Sequence, residues 1–154
     1  MGRKPRVRPV ALCVFQRDGA IFVAEGHDEV KGETFYRPLG GRIEFGEYAA
    51  DTVKRELMEE IGAEVRDLRS LGTLENIFTY RGKPGHELVL MFEGAFCDER
   101  LYEPDSITQA YDDGELLFTA SWKPLDDFRS GGARLYPTGL IELLDRESSP
   151  VTKE

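Results

Sequence analysis

An acid-dense segment between two glycine-rich turns constrains this chain more than any other stretch. From Gly41 to Ala63 the sequence runs GRIEFGEYAADTVKRELMEEIGA, placing Glu44, Glu47, Glu56, Glu59 and Glu60 in or beside one predicted helix that follows a Gly-Gly pair. Like charges four residues apart on a helix repel mildly, so Glu56 and Glu60 are not neighbours that stability alone selects. A divalent cation reverses the sign of that argument. Mg²⁺ takes hard oxygen ligands, commonly one or two carboxylates plus the phosphates of a substrate, and keeps several waters. Glu56, Glu59 and Glu60 stand at i, i+3 and i+4 and leave the helix on one face. Ala50, Val53, Leu57 and Ile61 recur at the helical period on an adjoining face, which docks the helix on a core. One stripe packs and the next binds. The competing account is a solvated surface helix with acidic decoration.

The longer pattern decides between the two, because it resembles the Nudix box, GX5EX7REUXEEXGU with U aliphatic. Gly41, Glu47, Arg55, Glu56, Leu57, Glu59, Glu60 and Gly62 match at the required spacing, and Ala63 stands where a larger aliphatic residue is usual. Gly40 and Glu44 complete the opening GGxxExGE. The resemblance implies the Nudix fold over nearly the whole chain: α/β (α+β), a mixed β-sheet sandwiched between helices, with the box as a loop-helix-loop. It implies hydrolysis of the diphosphate in a nucleoside diphosphate linked to another moiety X, with Mg²⁺ as cofactor and Mn²⁺ as its substitute. It assigns Glu56, Glu59 and Glu60 to metal binding and catalysis, and the backbone carbonyl at Gly41 to the metal site. Arg55 orients a box glutamate through an ion pair, and Glu47 shares that role or lies in an outer shell of the metal. The proton acceptor stays open among the box glutamates and the later acids Glu93, Glu99, Glu103, Asp105, Asp112 and Asp113.

Outside the box the sequence reads as strands and turns. Residues 10–16 form an apolar strand, Asp18-Gly19 a hairpin turn, and residues 21–24 the returning strand. A polar stretch over 26–34 leads to a short strand at 35–39 that ends at the glycines. Residues 68–80 read as an extended segment and 88–96 as the most apolar strand, with a turn at 81–85 between them, which predicts a hairpin over 71–96. Residues 99–113 read as a loop over the site, 115–122 as a strand, 125–128 as a short helical turn, and 138–144 as a helix with Leu140, Ile141 and Leu144 on one side. Arg37 and Arg42 flank the glycine turn and are the candidate phosphate ligands, with Arg81, Lys83 and His86 as further basic groups. Phe78 and Tyr80 are the chosen stacking faces for a base, from a set that includes Phe35, Tyr36, Tyr111 and Trp122. The stretch 75–87 also resembles one that recurs in a less characterised branch of the family, without identifying X.

The 154 residues, 40% of them hydrophobic, fit one domain over 1–154 with a frayed tail from 146. A net charge of -9 argues against a nucleic-acid polymer as partner, so the expected partner is a small nucleotide-type molecule. Cys13 and Cys97 sit alone in apolar segments and read as reduced core thiols of a cytoplasmic protein. The apolar run behind the basic start MGRKPRVRP is too short for a signal peptide or a membrane span. A homodimer stays open as the assembly. Two other classes compete with hydrolysis: a catalytically silent Nudix-like nucleotide-sensing module, which commonly lacks box glutamates, and a diphosphate isomerase, which needs a catalytic cysteine in different surroundings.

Overall fold

In the computed structural model, which describes residues 4–112 and 114–148, the chain builds two sheets. The first contains β1 (Arg8–Val14), β5 (Leu39–Arg42), β6 (Val65–Tyr80) and β7 (Lys83–Phe96) in the order β5-β1-β7-β6. Only β1 and β7 run parallel there. The second contains β3 (Ala20–Asp28), β4 (Glu33–Arg37), β8 (Ile107–Asp112), β9 (Glu115–Pro124) and β10 (Arg134–Leu135) in the order β10-β4-β3-β9-β8, with the short β2 (Gln16–Arg17) paired to β3. Three helices, α1 (Ala49–Ile61), α2 (Leu125–Arg129) and α3 (Leu140–Ser148), complete the fold.

The central strands are buried on both faces, and their side-chain alternation sorts the core into two clusters. Ala11, Cys13, Phe15, Phe22 and Ala24 point to the side of Val53 and Leu57 of α1, whereas Val10, Leu12, Val14, Ile21 and Val23 meet Leu125 and Phe128 of α2 and Leu140, Leu143 and Leu144 of α3. Strands covered on both faces become near-continuous apolar runs, which is what residues 10–15 display. The expected arrangement of a mixed sheet between helices is therefore present, divided into two sheets. On α1, Thr52 joins Val53 and Leu57 as fully buried, while Ala50 and Ile61 are half-buried against the same cluster.

Several local expectations are corrected. The polar stretch at 26–34 is a hairpin, with β3 running to Asp28 and β4 starting at Glu33. The turn at 81–85 shrinks to Arg81-Gly82, both at positive φ (51° and 78°), because Lys83 already pairs with Tyr80. Residues 99–113 are no open loop: a 3₁₀ turn spans Glu99–Tyr102, and β8 follows, bonded to β9. As an edge strand, β8 leaves Ile107 and Tyr111 exposed and buries Ala110, so its composition conceals it. Helix α3 continues through Ser148, past the expected fraying at 146, and buries Leu140, Leu143 and Leu144 with Ile141 only half-covered. Asp113 and residues 149–154 lie outside the described residues. Cys13 is in the core, where burial raises its thiol pKa. Cys97 is exposed, one residue beyond the end of β7. Among the described residues no helix is long and apolar enough to cross a membrane.

Candidate active site

The two glycines before the box are dictated by what lies behind them. Gly40 pairs with Leu12 in the β1–β5 ladder at φ +149°, and a Cβ there would strike the Ala11 carbonyl and come within 2.8 Å of Leu12 Cα. A Cβ at Gly41 would run into the carboxyl group of Glu56. Gly41 thus leaves the hollow that Glu56 fills. At the other end, Gly62 adopts the left-handed conformation (φ 65°), and its N–H bonds back to Met58 O at 2.9 Å, which ends α1 cleanly.

Between these glycines Arg55 gathers the acids. Its Nε donates to Glu47 Oε2 at 2.8 Å and its Nη2 to Glu47 Oε1 at 3.0 Å, a bidentate pair. Its Nη1 reaches Glu56 Oε1 at 3.0 Å and Glu59 Oε2 at 3.2 Å, with Glu44 at 3.7 Å, and Nη2 also donates to the Arg42 carbonyl at 3.1 Å. Glu47 also accepts from the buried Thr52 hydroxyl at 2.6 Å. The Arg55 guanidinium, helped by Thr52, holds the Glu47 carboxyl down at about 2. Arg55 thus has four carboxylate neighbours, Glu44, Glu47, Glu56 and Glu59.

Glu60 is the exception, since no bond to Arg55 reaches it. Its Oε2 is buried and has no hydrogen-bond partner. Burial first, then the shared proton and negative charge of Glu56, push its pKa up to about 8, with Arg37 opposing the rise. A buried carboxylate oxygen without a partner is costly, and a hard cation is the partner that such an oxygen fits. Among the described residues no three His, Cys, Asp or Glu side chains form a preformed cage. Glu56 and Glu60 offer the closest approach, and Glu59, with a side chain 60% exposed, stands further out on the Arg55 side.

A cavity of about 410 Å³ opens beside Glu60 and Gly40. Arg37, Phe78 and Tyr80, three of the substrate-binding candidates, line it together with Phe35. Arg42 is exposed and does not line it, and neither do Arg81, Lys83 or His86. Tyr36 instead packs edge-on against Phe128, Trp122 stacks on Tyr102 within the core, and Tyr111 is exposed on β8. Of the later acids, Glu93 is paired with Arg69 at 2.6 Å and Glu99 with Arg17 at 3.6 Å, and neither they nor Glu103 and Asp105 line the cavity.

Sequence reasoning missed Glu25, Asp28, Lys31, Glu33, Asn76, Glu87 and Tyr136, all of which line it. Tyr136 packs edge-on to Phe35 at 5.5 Å, and Phe35 packs edge-on to Tyr80 at 5.7 Å, which makes an aromatic wall. Two glycines shape this wall. A Cβ at Gly26 would meet the Phe35 ring, and one at Gly85 would meet the Phe78 ring; in each case the glycine lies directly opposite that aromatic residue across a hairpin. A ring laid over a facing glycine is a recognised device for pinning a sheet. The sequence hid it, because Gly26 opens a polar stretch and Gly85 follows Gly82-Lys83-Pro84, so both read as turn residues.

Asp28, only 1% exposed, ties two hairpins together. Its carboxylate accepts from Val30 N at 2.9 Å and Lys31 N at 3.2 Å in its own turn, and from Arg81 N at 2.9 Å in the turn between β6 and β7. These N–H donors, that of Arg81 foremost, lower its pKa.

The family profile described as the NUDIX domain matches residues 5–142. The chain belongs to the Nudix hydrolase family. Among similar proteins of this family, the NAD-capped RNA hydrolase NudC of Mycobacterium tuberculosis H37Rv is 31% identical over 126 residues, covering 82% of this chain and 36% of that protein. The NudC of Pseudomonas putida F1 is 31% identical over 107 residues, 69% of this chain and again 36% of its own length. This chain thus spans little more than a third of these curated relatives. Among solved structures, a NUDIX hydrolase from Nitrosomonas europaea superposes with a TM-score of 0.64 at 18% identity, covering 92% of this chain and 88% of the other. A MutT NUDIX hydrolase from Burkholderia pseudomallei gives 0.64 at 20% identity, with 90% and 97% covered. At those identities the two likenesses speak for the Nudix fold.

Proposed function

We propose that this Nudix protein is a Mg²⁺-dependent hydrolase that cleaves the diphosphate linkage of a nucleoside diphosphate joined to another moiety X, by attack of water on phosphorus. The observation that carries the reading is the unpartnered, buried Glu60 Oε2 next to Glu56, at the edge of an aromatic cavity. Glu56, Glu59, Glu60 and the Gly41 carbonyl are the residues that would hold the cation, with Mn²⁺ as a substitute for Mg²⁺. The bound cation would neutralise phosphate oxygens and acidify water. Arg55 fixes Glu56 and Glu59 in direction through its Nη1. Arg37 lines the cavity within electrostatic range of Glu60 and offers a positive group to a phosphate. Phe78 and Tyr80 supply flat apolar surface for a ring, the kind of contact that contributes roughly 1 to 3 kcal/mol per base in nucleic-acid binders. Arg42, which lies outside the cavity, contributes its carbonyl to Arg55 and serves phosphate only at the entrance, if X is long enough to reach it.

The substrate named for the NudC relatives contains NAD, itself two nucleosides joined through a diphosphate. Such dinucleotides therefore belong in the class proposed here, and the acidic balance of this chain favours the small molecule over a polymer as partner. The test is product release from dinucleotides, nucleotide sugars and nucleoside triphosphates with Mg²⁺. Nucleoside monophosphate release that stops on chelation supports the reading. Tight binding of one candidate without turnover identifies a sensing module instead.

A further inference from the structure

Asn76 is 5% exposed and lines the cavity, yet only half of its amide is engaged. Its Oδ1 accepts from Thr138 N at 3.4 Å. A backbone N–H can only donate, so this contact fixes which end of the amide is oxygen. The Nδ2 group is left with two N–H donors and no protein partner among the described residues. An amide nitrogen held in place by its own oxygen, and free of protein acceptors where it meets the cavity, is available to an acceptor on a bound molecule.

Directly opposite Asn76 across the β6–β7 ladder stands Glu87, which therefore points to the same face. Glu87 also lines the cavity, is half-buried, and has no ion pair or side-chain hydrogen bond among the described residues. A donor and an acceptor thus stand side by side. Two residues further along β6, Phe78 lies over Gly85 on the same face, and Tyr80 follows. The arrangement is a flat apolar surface beside one donor and one acceptor.

We infer that Asn76 and Glu87 read the edge of a planar nitrogen heterocycle in which a hydrogen-bond acceptor sits next to an N–H donor, as in the amidine edge of adenine, the lactam edge of guanine or a ring carboxamide. Asn76 Nδ2 donates to the ring acceptor, and the Glu87 carboxylate accepts from the neighbouring N–H. The pair determines specificity and takes no part in bond cleavage. This inference deepens the proposed hydrolysis and rests on it, so the test separates the two. A site built to hydrogen-bond a polar edge rejects an analogue that lacks it far more strongly than a purely apolar pocket does.

The experiment compares diphosphates that share one X and differ only in the nucleoside: adenosine, guanosine, and purine riboside, which lacks the exocyclic groups. Wild-type protein is expected to favour at least one of the first two over the third by about tenfold or more in kcat/KM. Asn76→Asp keeps an acceptor for Thr138 N–H while replacing the free donor, and Glu87→Gln removes the acceptor charge from the opposite strand. Each should bring that ratio close to one, with the change carried by KM. Folded variants, matched to wild type in Tm, that retain the wild-type ratio overturn the inference and leave hydrolysis standing. If wild-type protein cleaves none of the three, the hydrolytic reading falls; calorimetric binding of the three nucleoside monophosphates then decides, and equal or absent binding of all three overturns the edge-reading pair as well.

Discussion

Replacing Glu60 with Gln should stabilise the cation-free protein while removing its activity. The folded pKa of Glu60 is raised from 4.5 to about 8, so the fold favours the protonated carboxyl. That contribution to stability is complete below about pH 4.5 and is lost as pH climbs towards about 8. At about 1.4 kcal/mol per unit, the span from 4.5 to about 8 caps the cost at about 5 kcal/mol near pH 8. Glutamine has the shape of the protonated acid and no charge to lose. For a domain of this size, each kcal/mol moves Tm by roughly 2 to 4 °C. In chelator at about pH 8, Glu60→Gln is therefore expected to melt above wild type by an amount bounded at about 10 to 20 °C, and the two should converge at about pH 5. Added Mg²⁺ should invert the order, because only wild type gains a ligand for the buried oxygen, and turnover of the variant should fall by several orders of magnitude. Scanning fluorimetry across pH, with and without Mg²⁺, reads all of this. Equal melting at both pH values would show that Glu60 carries no buried charge cost, and a variant with near-normal rate would remove Glu60 from the site.

Other outcomes follow from the same geometry. Leu57 is fully buried on α1, so Leu57→Ala should cost on the order of 2 to 5 kcal/mol in chemical denaturation; a parent-like midpoint would mean that the helix does not dock through this face. Gly41→Ala would push a methyl group into the Glu56 carboxyl, and a loss of Mg²⁺ affinity greater than the loss of Tm is expected by titration. Glu47, held at about 2 by Arg55, contributes stability above its ordinary pKa of 4.5 that disappears as pH falls through about 2. Acid unfolding should show this as a steeper decline for wild type than for Glu47→Gln over that window.

What the sequence made legible is what one helix can encode. Gly41, Glu47, Arg55, Glu56, Glu59, Glu60 and Gly62 lie within a span whose three-dimensional relations are set by helical period and two turns, so spacing put Glu56, Glu59 and Glu60 on one face and the resemblance to the Nudix box implied the rest. The apolar runs at 10–16 and 88–96 were legible for the same reason, since alternation or its absence is local. The cavity was not. Asn76 and Glu87 meet only through strand pairing, Tyr136 arrives from beyond α2 to pack on Phe35, and Asp28 lies in a polar stretch whose partner, the turn between β6 and β7, is more than fifty residues away. The strand β8 was hidden because an edge position tolerates polar composition. Cys97 misled because apolar neighbours predict a strand interior, whereas the strand stops at Phe96.

The Asp28 carboxylate has one further consequence. It grips backbone in turns of both sheets at once, so from the edge of the cavity it helps to set the width of the slot between them. Lengthening the side chain by one methylene, as in Asp28→Glu, would re-space the hairpin that carries Phe35 against the hairpin that carries Phe78 and Tyr80. Changes in which rings are accepted can therefore arise at this position while every residue in contact with the ring stays the same.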